Sequence, residues 1–190
     1  LQEARQEFFR YGVRNVTMDG IATELGISKR TVYETFKDKT ELIQTCLKEL
    51  SLEHERKNRE VIQTSSNVIE AIFTFMQEGI KAMNSIKPVF FFDMEKFYPE
   101  IWEPMHKSNI ENAYNLTHKL LRKGVNEGLF RKEINIRIVS KLFHEQMNLI
   151  SNSAVFPPDE FDFSEVFQNL VINFMRGIST QKGIEMIDQI

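Results

Sequence analysis

Hydrogen-bond donors are concentrated on one short predicted helix near the amino end of the chain. Once its apolar positions are assigned to the inside, the residues left on the outer face are Lys29, Arg30, Thr31, Tyr33, Glu34 and Thr35. Ammonium, guanidinium, hydroxyl and phenol groups are the side chains that contact base edges and phosphate oxygens. The pattern therefore indicates contact with a nucleic acid through a single exposed helical surface.

Patterns typical of enzymes are absent from the sequence, which has no Gly-rich phosphate loop, nucleophile elbow or HExxH segment. Asp93, Glu95 and the nearby His106 offer acid–base chemistry in principle, although residues of these types also solvate ordinary helix faces. The four histidines are scattered singly, without the spacing of metal ligands. We therefore expect no catalytic residues, no metal and no cofactor.

Two short helices joined by a tight turn must position the donor surface. We expect Thr17 to cap the first helix and Ser28 the second, and Gly26 to supply the backbone freedom that the turn needs. Val32 and Phe36 should face inward from the second helix. This arrangement is a helix-turn-helix, which lays its second helix in a DNA major groove.

With the helix before it and the helix after it, this segment resembles the tetracycline-repressor (TetR) family of bacterial one-component regulators. The match covers roughly the first fifty residues, and its most recognisable run is YETFKDK, residues 33–39. The residues that carry it are Phe8, Gly12, Thr17, Ile21, Ala22, Gly26, Ser28, Thr31, Tyr33, Phe36, Lys39, Leu42 and Leu47. Beyond residue 60 the likeness is limited to length, helicity and the Arg176-Gly177-Ile178 ending.

The resemblance implies a DNA-binding transcriptional regulator, with repression as the family default. It implies Lys29 and Arg30 for contacts to base edges. The other expected DNA-binding residues, most of them for phosphate contacts, are Thr17, Ser28, Thr31, Tyr33 and Lys39. An alternative remains open for three of them, because Thr17 and Ser28 could serve only as helix caps and Lys39 could simply be solvated.

Charge supports a local rather than a general affinity for DNA. The chain has a net charge of −3, and its first fifty residues carry eight basic and eight acidic side chains. Residues 28–39 alone carry a local charge of +2, whereas residues 51–190 carry −3. We therefore predict a helix-turn-helix domain in residues 1–50 and a helical effector-binding and dimerisation domain in residues 51–190.

Composition indicates a cytoplasmic protein. Apolar residues make up 42% of the chain, but no apolar run approaches the length of a membrane span, so no membrane association is expected. The single cysteine, Cys46, cannot form an internal disulfide and fits a reducing compartment. No secretory signal is visible, and because the chain begins at Leu1 without a methionine, we expect a short segment to precede it.

Helical apolar spacing continues to the end of the chain, with no convincing strand, so the predicted fold is all-α. A long fourth helix should join the DNA-binding part to the rest. The expected helices after residue 37 are Asp38 to about Arg59, Val68 to Met83, Val89 to Tyr98, about Ser108 to Glu127, Asn135 to Ser153, and Asp162 or Ser164 to about Ser179.

Phenylalanine and methionine are abundant in the middle of the chain, and such side chains suit an apolar ligand cavity. Core packing is the alternative for each residue taken alone, and an effector pocket becomes the favoured interpretation once the resemblance is added. The expected ligand-binding residues are Phe73, Met76, Phe90, Phe91, Trp102, His106, Tyr114, His118, Phe143 and Met147. The effector is expected to be a small, apolar molecule.

A long apolar stripe near the carboxyl end suggests a homodimer, although a helix packed only within its own domain would look the same. The expected interface residues are Val139, Phe143, Phe163, Phe167, Leu170, Phe174 and Ile178. The resemblance implies that the last two long helices pair with their twins in a four-helix bundle, which sets two recognition helices about 34 Å apart on a palindromic operator. Monomers that no longer bind operator are expected from Phe167→Asp combined with Phe174→Asp.

Regulation would follow from tilting the fourth helix. An effector that favours the state with widely spaced recognition helices would lower operator affinity by the same coupling free energy, typically about 1–3 kcal/mol. A helical protein-interaction module, or a regulator without a ligand site, is the alternative.

Overall fold

The computed structural model describes residues 1–152 and 154–189. Its regular structure within these ranges is helical, and the only β-type pairing there is an isolated bridge between Phe130 and Ser179. The helices are α1 (Gln2–Tyr11), α2 (Met18–Glu24), α3 (Lys29–Thr35), α4 (Lys39–Thr64), α5 (Val68–Ser85), α6 (Pro88–Phe97), α7 (Pro99–Asn126), α8 (Ile136–Ile150), α9 (Phe163–Ile178) and α10 (Gln181–Ile187). The prediction of an all-α fold is confirmed.

Most helices start where the sequence places a capping side chain. Asn135 caps α8 by accepting a hydrogen bond from the backbone N–H of Ile138, and Asp162 caps α9 by accepting one from Glu165. Each cap satisfies a backbone donor that has no partner inside the helix. The sequence did not predict α10, which Thr180 caps in the same way.

The predicted start of α7 near Ser108 is wrong, because the helix begins at Pro99 and contains Pro104. Proline suits the first helical position, and Pro104 removes only one i to i−4 hydrogen bond, near the start of the helix. Helix α4 is longer than expected and reaches Thr64. The predicted end of the helix after Asn135, at Ser153, lies outside the described residues.

Two compact units divide the chain. The first unit combines Leu1–Arg59 with Lys81–Ser108, and the second combines Glu60–Ile80 with Asn109–Ile190. This partition differs from the predicted division at residue 50, because α6 and the start of α7 pack with the amino-terminal helices. No helix in the described ranges is both long enough and apolar enough to cross a bilayer.

Each unit has a core of its own. Large buried side chains of the first are Phe8, Ile21, Val32, Leu42, Ile43, Phe90 and Met94. Those of the second are Ile69, Phe73, Met76, Leu121, Phe130, Phe167, Val171 and Met175. Burial of aliphatic and aromatic side chains at this level is the main stabilising term for both units.

Candidate functional site

Side-chain caps and one glycine shape the helix-turn-helix. Thr17 Oγ1 accepts a hydrogen bond from the backbone N–H of Gly20 at 3.0 Å, and Ser28 Oγ accepts one from Thr31 at 3.1 Å. Gly26 has φ of +64°, a left-handed conformation that glycine adopts without steric cost. Thr17 and Ser28 therefore act as caps, and the proposed phosphate contacts would be additional to that role.

The outer face of α3 is open, as the sequence predicted. The side chains of Arg30 and Lys29 are 86% and 65% exposed, and Tyr33 is 51% exposed. Val32 points the opposite way and is buried, so the helix is held by its inner face alone. We call this exposed face of α3, with Lys29, Arg30, Thr31 and Tyr33, the recognition surface.

Both cations of the recognition surface are paired with carboxylates. Lys29 contacts Asp19 of α2, and Arg30 Nε lies 2.7 Å from Glu34 Oε1 one turn along α3. Exposed ion pairs of this kind contribute only about 0–1 kcal/mol to stability, so a base edge or a phosphate can replace the carboxylate at small cost.

Lys39 differs from the other predicted DNA-binding residues because it is half-buried. Its Nζ lies 3.5 Å from the backbone oxygen of Arg14. Burial lowers the pKa of Lys39, while the negative charge of Asp93 acts in the opposite direction. Its ammonium group is directed toward the protein as well as toward solvent, which restricts its use as a phosphate contact.

The residues considered for acid–base chemistry lie in different environments. Asp93 is buried, and its Oδ2 accepts a hydrogen bond from the backbone N–H of Arg14 at 2.7 Å. Glu95 is exposed, and His106 stacks on Trp102 with ring centroids 5.3 Å apart. No group of three or more potential metal ligands occurs within residues 1–152 and 154–189.

Four of the ten predicted ligand-binding residues belong to the first unit. Phe90 is buried there and packs edge-on against Phe9 of α1 at 4.8 Å, so it belongs to the core and is not available to an effector. Phe91 and Trp102 are half-buried, and the centroids of their rings lie 5.9 Å apart. His106 is exposed.

The other six predicted ligand-binding residues belong to the second unit. Phe73 and Met76 are buried in its core. The remaining four are half-buried: Tyr114, His118, Phe143 and Met147. These four lie on α7 and α8, within the second unit.

The structure adds two polar residues of α8 that the sequence analysis missed. His144 Nε2 lies 3.2 Å from Thr117 Oγ1, its ring is 5.6 Å from that of Tyr114, and burial lowers its pKa. Ser140 is fully buried, and its Oγ has no hydrogen-bond partner in the described part of the chain. The sequence signal for them is their spacing: Ser140 and His144 are four residues apart, so they lie on the same side of a helix rich in apolar residues.

The predicted dimer interface separates into two sets. Phe167 and Ile178 are buried within the second unit, so both face its core and leave little surface for an intermolecular contact. Apolar periodicity identifies a buried face without showing which molecule covers it. The other five are only half-buried: Val139, Phe143, Phe163, Leu170 and Phe174.

Helix α8 instead exposes three large apolar side chains that the sequence analysis did not select. Ile138, Leu142 and Leu149 are 56%, 55% and 48% exposed. A groove of about 820 Å³ lies between α8 and α9, and Leu149 and Leu170 are among its lining residues. We call Ile138, Leu142 and Leu149 the α8 face, and exposed apolar side chains that share one side of a helix favour an interaction site.

Comparison with known proteins agrees with the geometry of the amino-terminal helices. Residues 1–46 match the family described as bacterial regulatory proteins, tetR family. The chain is also 21% identical over 172 residues to YvaF of Bacillus subtilis (strain 168), described as an uncharacterized HTH-type transcriptional regulator, with 87% of each chain covered.

Solved structures share the fold over nearly the whole chain. A transcriptional regulator from Saccharomonospora viridis in complex with choline has a TM-score of 0.74 at 16% identity, covering 95% of both chains. FadR from Bacillus subtilis in complex with stearoyl-CoA has a TM-score of 0.66 at 15% identity, covering 93% of this chain and 96% of that one. Such likeness extends the shared architecture beyond the matched amino-terminal residues.

Proposed function

We propose that this chain is a transcriptional regulator of the tetR family of bacterial regulatory proteins, not an enzyme, and that it acts as a repressor that binds a palindromic operator as a homodimer. A small, largely apolar effector would release it. Its place of action would be the cytoplasm, where the bacterial chromosome lies. The observation that carries the DNA-binding part is the recognition surface, an exposed cationic helix face on a capped helix-turn-helix.

The α8 face supports the homodimer. Its three aliphatic side chains are each about half exposed in the single chain, and the adjoining groove is lined partly by Leu170 and Phe174. A second copy related by a two-fold axis would cover the same residues on both chains. The proposed interface therefore keeps Val139, Leu170 and Phe174 from the prediction and places the α8 face at its centre.

The half-buried residues of α7 and α8 support the effector site. Tyr114, His118, Phe143 and Met147 would supply apolar and aromatic contacts, and Ser140 carries a buried hydroxyl still open to a hydrogen bond. Binding sites for small molecules combine apolar walls with a few polar groups. Two regulators of similar fold hold choline and stearoyl-CoA in their structures, which supports a small-molecule ligand of unspecified identity here.

A route for the response exists in the chain itself. Helices α4, α5 and α7 each contribute residues to both compact units. An effector bound in the second unit lowers operator affinity only by the difference in its affinity for the two states of the protein. We expect added effector to weaken DNA binding by the ratio of its affinities for the two states, typically about 5- to 150-fold.

Arg30→Ala tests the assignment of the recognition surface. We expect it to cost about 1–3 kcal/mol of binding free energy and to relax sequence preference, because the guanidinium is the longest donor on α3. The measurement is selection of duplexes from a random-sequence pool by the wild type, followed by gel-shift titration of both proteins on the selected duplex and on variants of it.

Arg59→Ala is the matched control. Arg59 is exposed on α4 and pairs with Glu55 four residues away, as Arg30 pairs with Glu34. Its removal changes the charge equally and should leave sequence preference unchanged. Equal effects of the two substitutions would contradict base reading by Arg30, and failure of the wild type to select any duplex would favour a protein-interaction module instead.

A further inference from the structure

A buried carboxylate lies where α6 meets the turn between α1 and α2. Asp93 is 3% exposed and is the only charged residue among the buried side chains of the described ranges. Its Oδ2 accepts a hydrogen bond from the backbone N–H of Arg14 at 2.7 Å. A buried carboxylate is costly without such bonds, and a charged acceptor forms a stronger one than a neutral acceptor does. The Arg14 peptide is therefore held firmly against α6.

Gly12 allows the turn to approach α6 this closely. Its φ of +80° is a conformation that other residues rarely adopt, and a Cβ atom there would lie 2.6 Å from Asp93 Oδ2 and 2.9 Å from Val89 Cγ2. The contact therefore depends on residue choices on both sides, a glycine in the turn and an aspartate on the helix.

Further contacts hold α6 against the end of α1. The backbone N–H of Lys87 donates to the oxygen of Phe9 at 2.9 Å, and the rings of Phe9 and Phe90 lie 4.8 Å apart. The Arg14 guanidinium lies over the Phe97 ring at 5.0 Å. These residues span α6 from its first turn to its last, so the helix is packed on the DNA-binding part along its length.

The start of α4 reaches the same residue, Arg14, through its carbonyl oxygen. Lys39 Nζ lies 3.5 Å from the oxygen of Arg14, and its electrostatic partner in this region is Asp93. Asp93 of α6 thus binds the N–H of Arg14, and Lys39 of α4 contacts its carbonyl oxygen. Burial raises the pKa of the phenol of Tyr98, which follows α6, and the negative charge of Asp93 adds to this rise.

We propose that Asp93 is a positioning residue for DNA recognition. Through the backbone of Arg14 it joins α6, the α1–α2 turn and the start of α4. This junction fixes the helix-turn-helix that follows the turn. This inference rests on the proposed function. Asp93 touches no DNA itself.

Asp93→Asn is the sharpest test, because the amide keeps the size of the side chain and an acceptor oxygen but removes the charge. We expect about 5- to 10-fold weaker binding to the duplex that the wild type selects from a random-sequence pool. The Arg14 amide proton should also shift upfield in NMR spectra and exchange faster with solvent. Glu95→Gln, which makes the same chemical change at an exposed position of α6, should bind that duplex as the wild type does.

A second variant separates positioning by Asp93 from a general loss of stability. Ile101→Val removes one methylene from the same core and should lower the melting temperature by about 2–4 °C while leaving DNA affinity unchanged. If Asp93→Asn binds the duplex as tightly as the wild type, or if Ile101→Val loses affinity in proportion to its lost stability as Asp93→Asn does, the positioning role is overturned. Failure of the wild type to select a duplex would overturn the proposed function, and this inference with it.

Discussion

The double variant Leu142→Glu, Leu149→Glu should be a folded monomer that binds the selected operator at least about 100-fold more weakly than the wild type. Both side chains are about half exposed in the single chain, so carboxylates there can remain solvated and the fold should survive. In a dimer the same positions would bury four charges, which no apolar interface tolerates. Light scattering gives the mass, circular dichroism gives the fold, and titration of palindromic and half-site duplexes gives the affinities.

The expected loss follows from the linkage of two recognition helices. When one half-site is bound, the second half-site contact becomes intramolecular, which raises affinity by about 10²- to 10⁴-fold without any new contact. A monomer loses this factor on the palindrome but keeps its affinity for a single half-site. Similar binding of both duplexes by the variant would therefore be the specific sign of lost dimerisation.

Leu52→Glu is the matched control, since Leu52 is 56% exposed on α4. It introduces one of the two charges at a similar exposure and should leave the dimer intact. A dimeric double variant that still binds the palindrome would show that the copies meet elsewhere. The double variant suggested by the sequence, Phe167→Asp with Phe174→Asp, is unsuitable because Phe167 is buried and a carboxylate at that position would destabilise the second unit.

The helix-turn-helix was predictable because each of its signals is local. Thr17 and Ser28 cap the helices that follow them, Gly26 takes a positive φ in the turn, and Val32 is buried as its spacing requires. Capping and turn conformation depend on a few neighbouring residues, so one sequence is sufficient to identify them.

The interface was less predictable because helical periodicity does not distinguish two kinds of burial. Along α9, Phe167 and Ile178 are covered by the chain itself, whereas Leu170 and Phe174 remain half exposed. All four lie in one continuous apolar pattern, and separating them requires knowing which neighbours pack on each side of the helix.

Asp93 shows the same limit for a polar residue. In the sequence it is one acid of a helix that also carries Glu95, and both suit a solvated face. Asp93 is buried in the folded chain, where it contacts Arg14, a residue 79 positions earlier in the sequence. The N–H of Arg14 compensates its charge. A long-range contact of this kind has no local signature.

Gly124→Ala should destabilise the second unit by about 3 kcal/mol, lowering the melting temperature by roughly 6–12 °C. Gly124 is buried in α7, and a Cβ atom there would overlap the ring of Phe130, which is itself 1% exposed. Because the ring lies inside a packed core, it cannot move aside without displacing its neighbours. Thermal and urea unfolding followed by circular dichroism would measure the loss.

Gly177→Ala, also a glycine-to-alanine change within a helix, provides the control, because a Cβ atom at Gly177 would meet nothing within 4 Å. It should be neutral or stabilising by about 0.4–1 kcal/mol, since alanine restricts the unfolded chain and favours the helix. Replacing the ring in the double variant Gly124→Ala, Phe130→Leu should recover part of the stability lost in Gly124→Ala, because the smaller side chain leaves space for the new methyl group. If Gly124→Ala unfolds at the same temperature as Gly177→Ala, the close approach of α7 to Phe130 does not exist in solution.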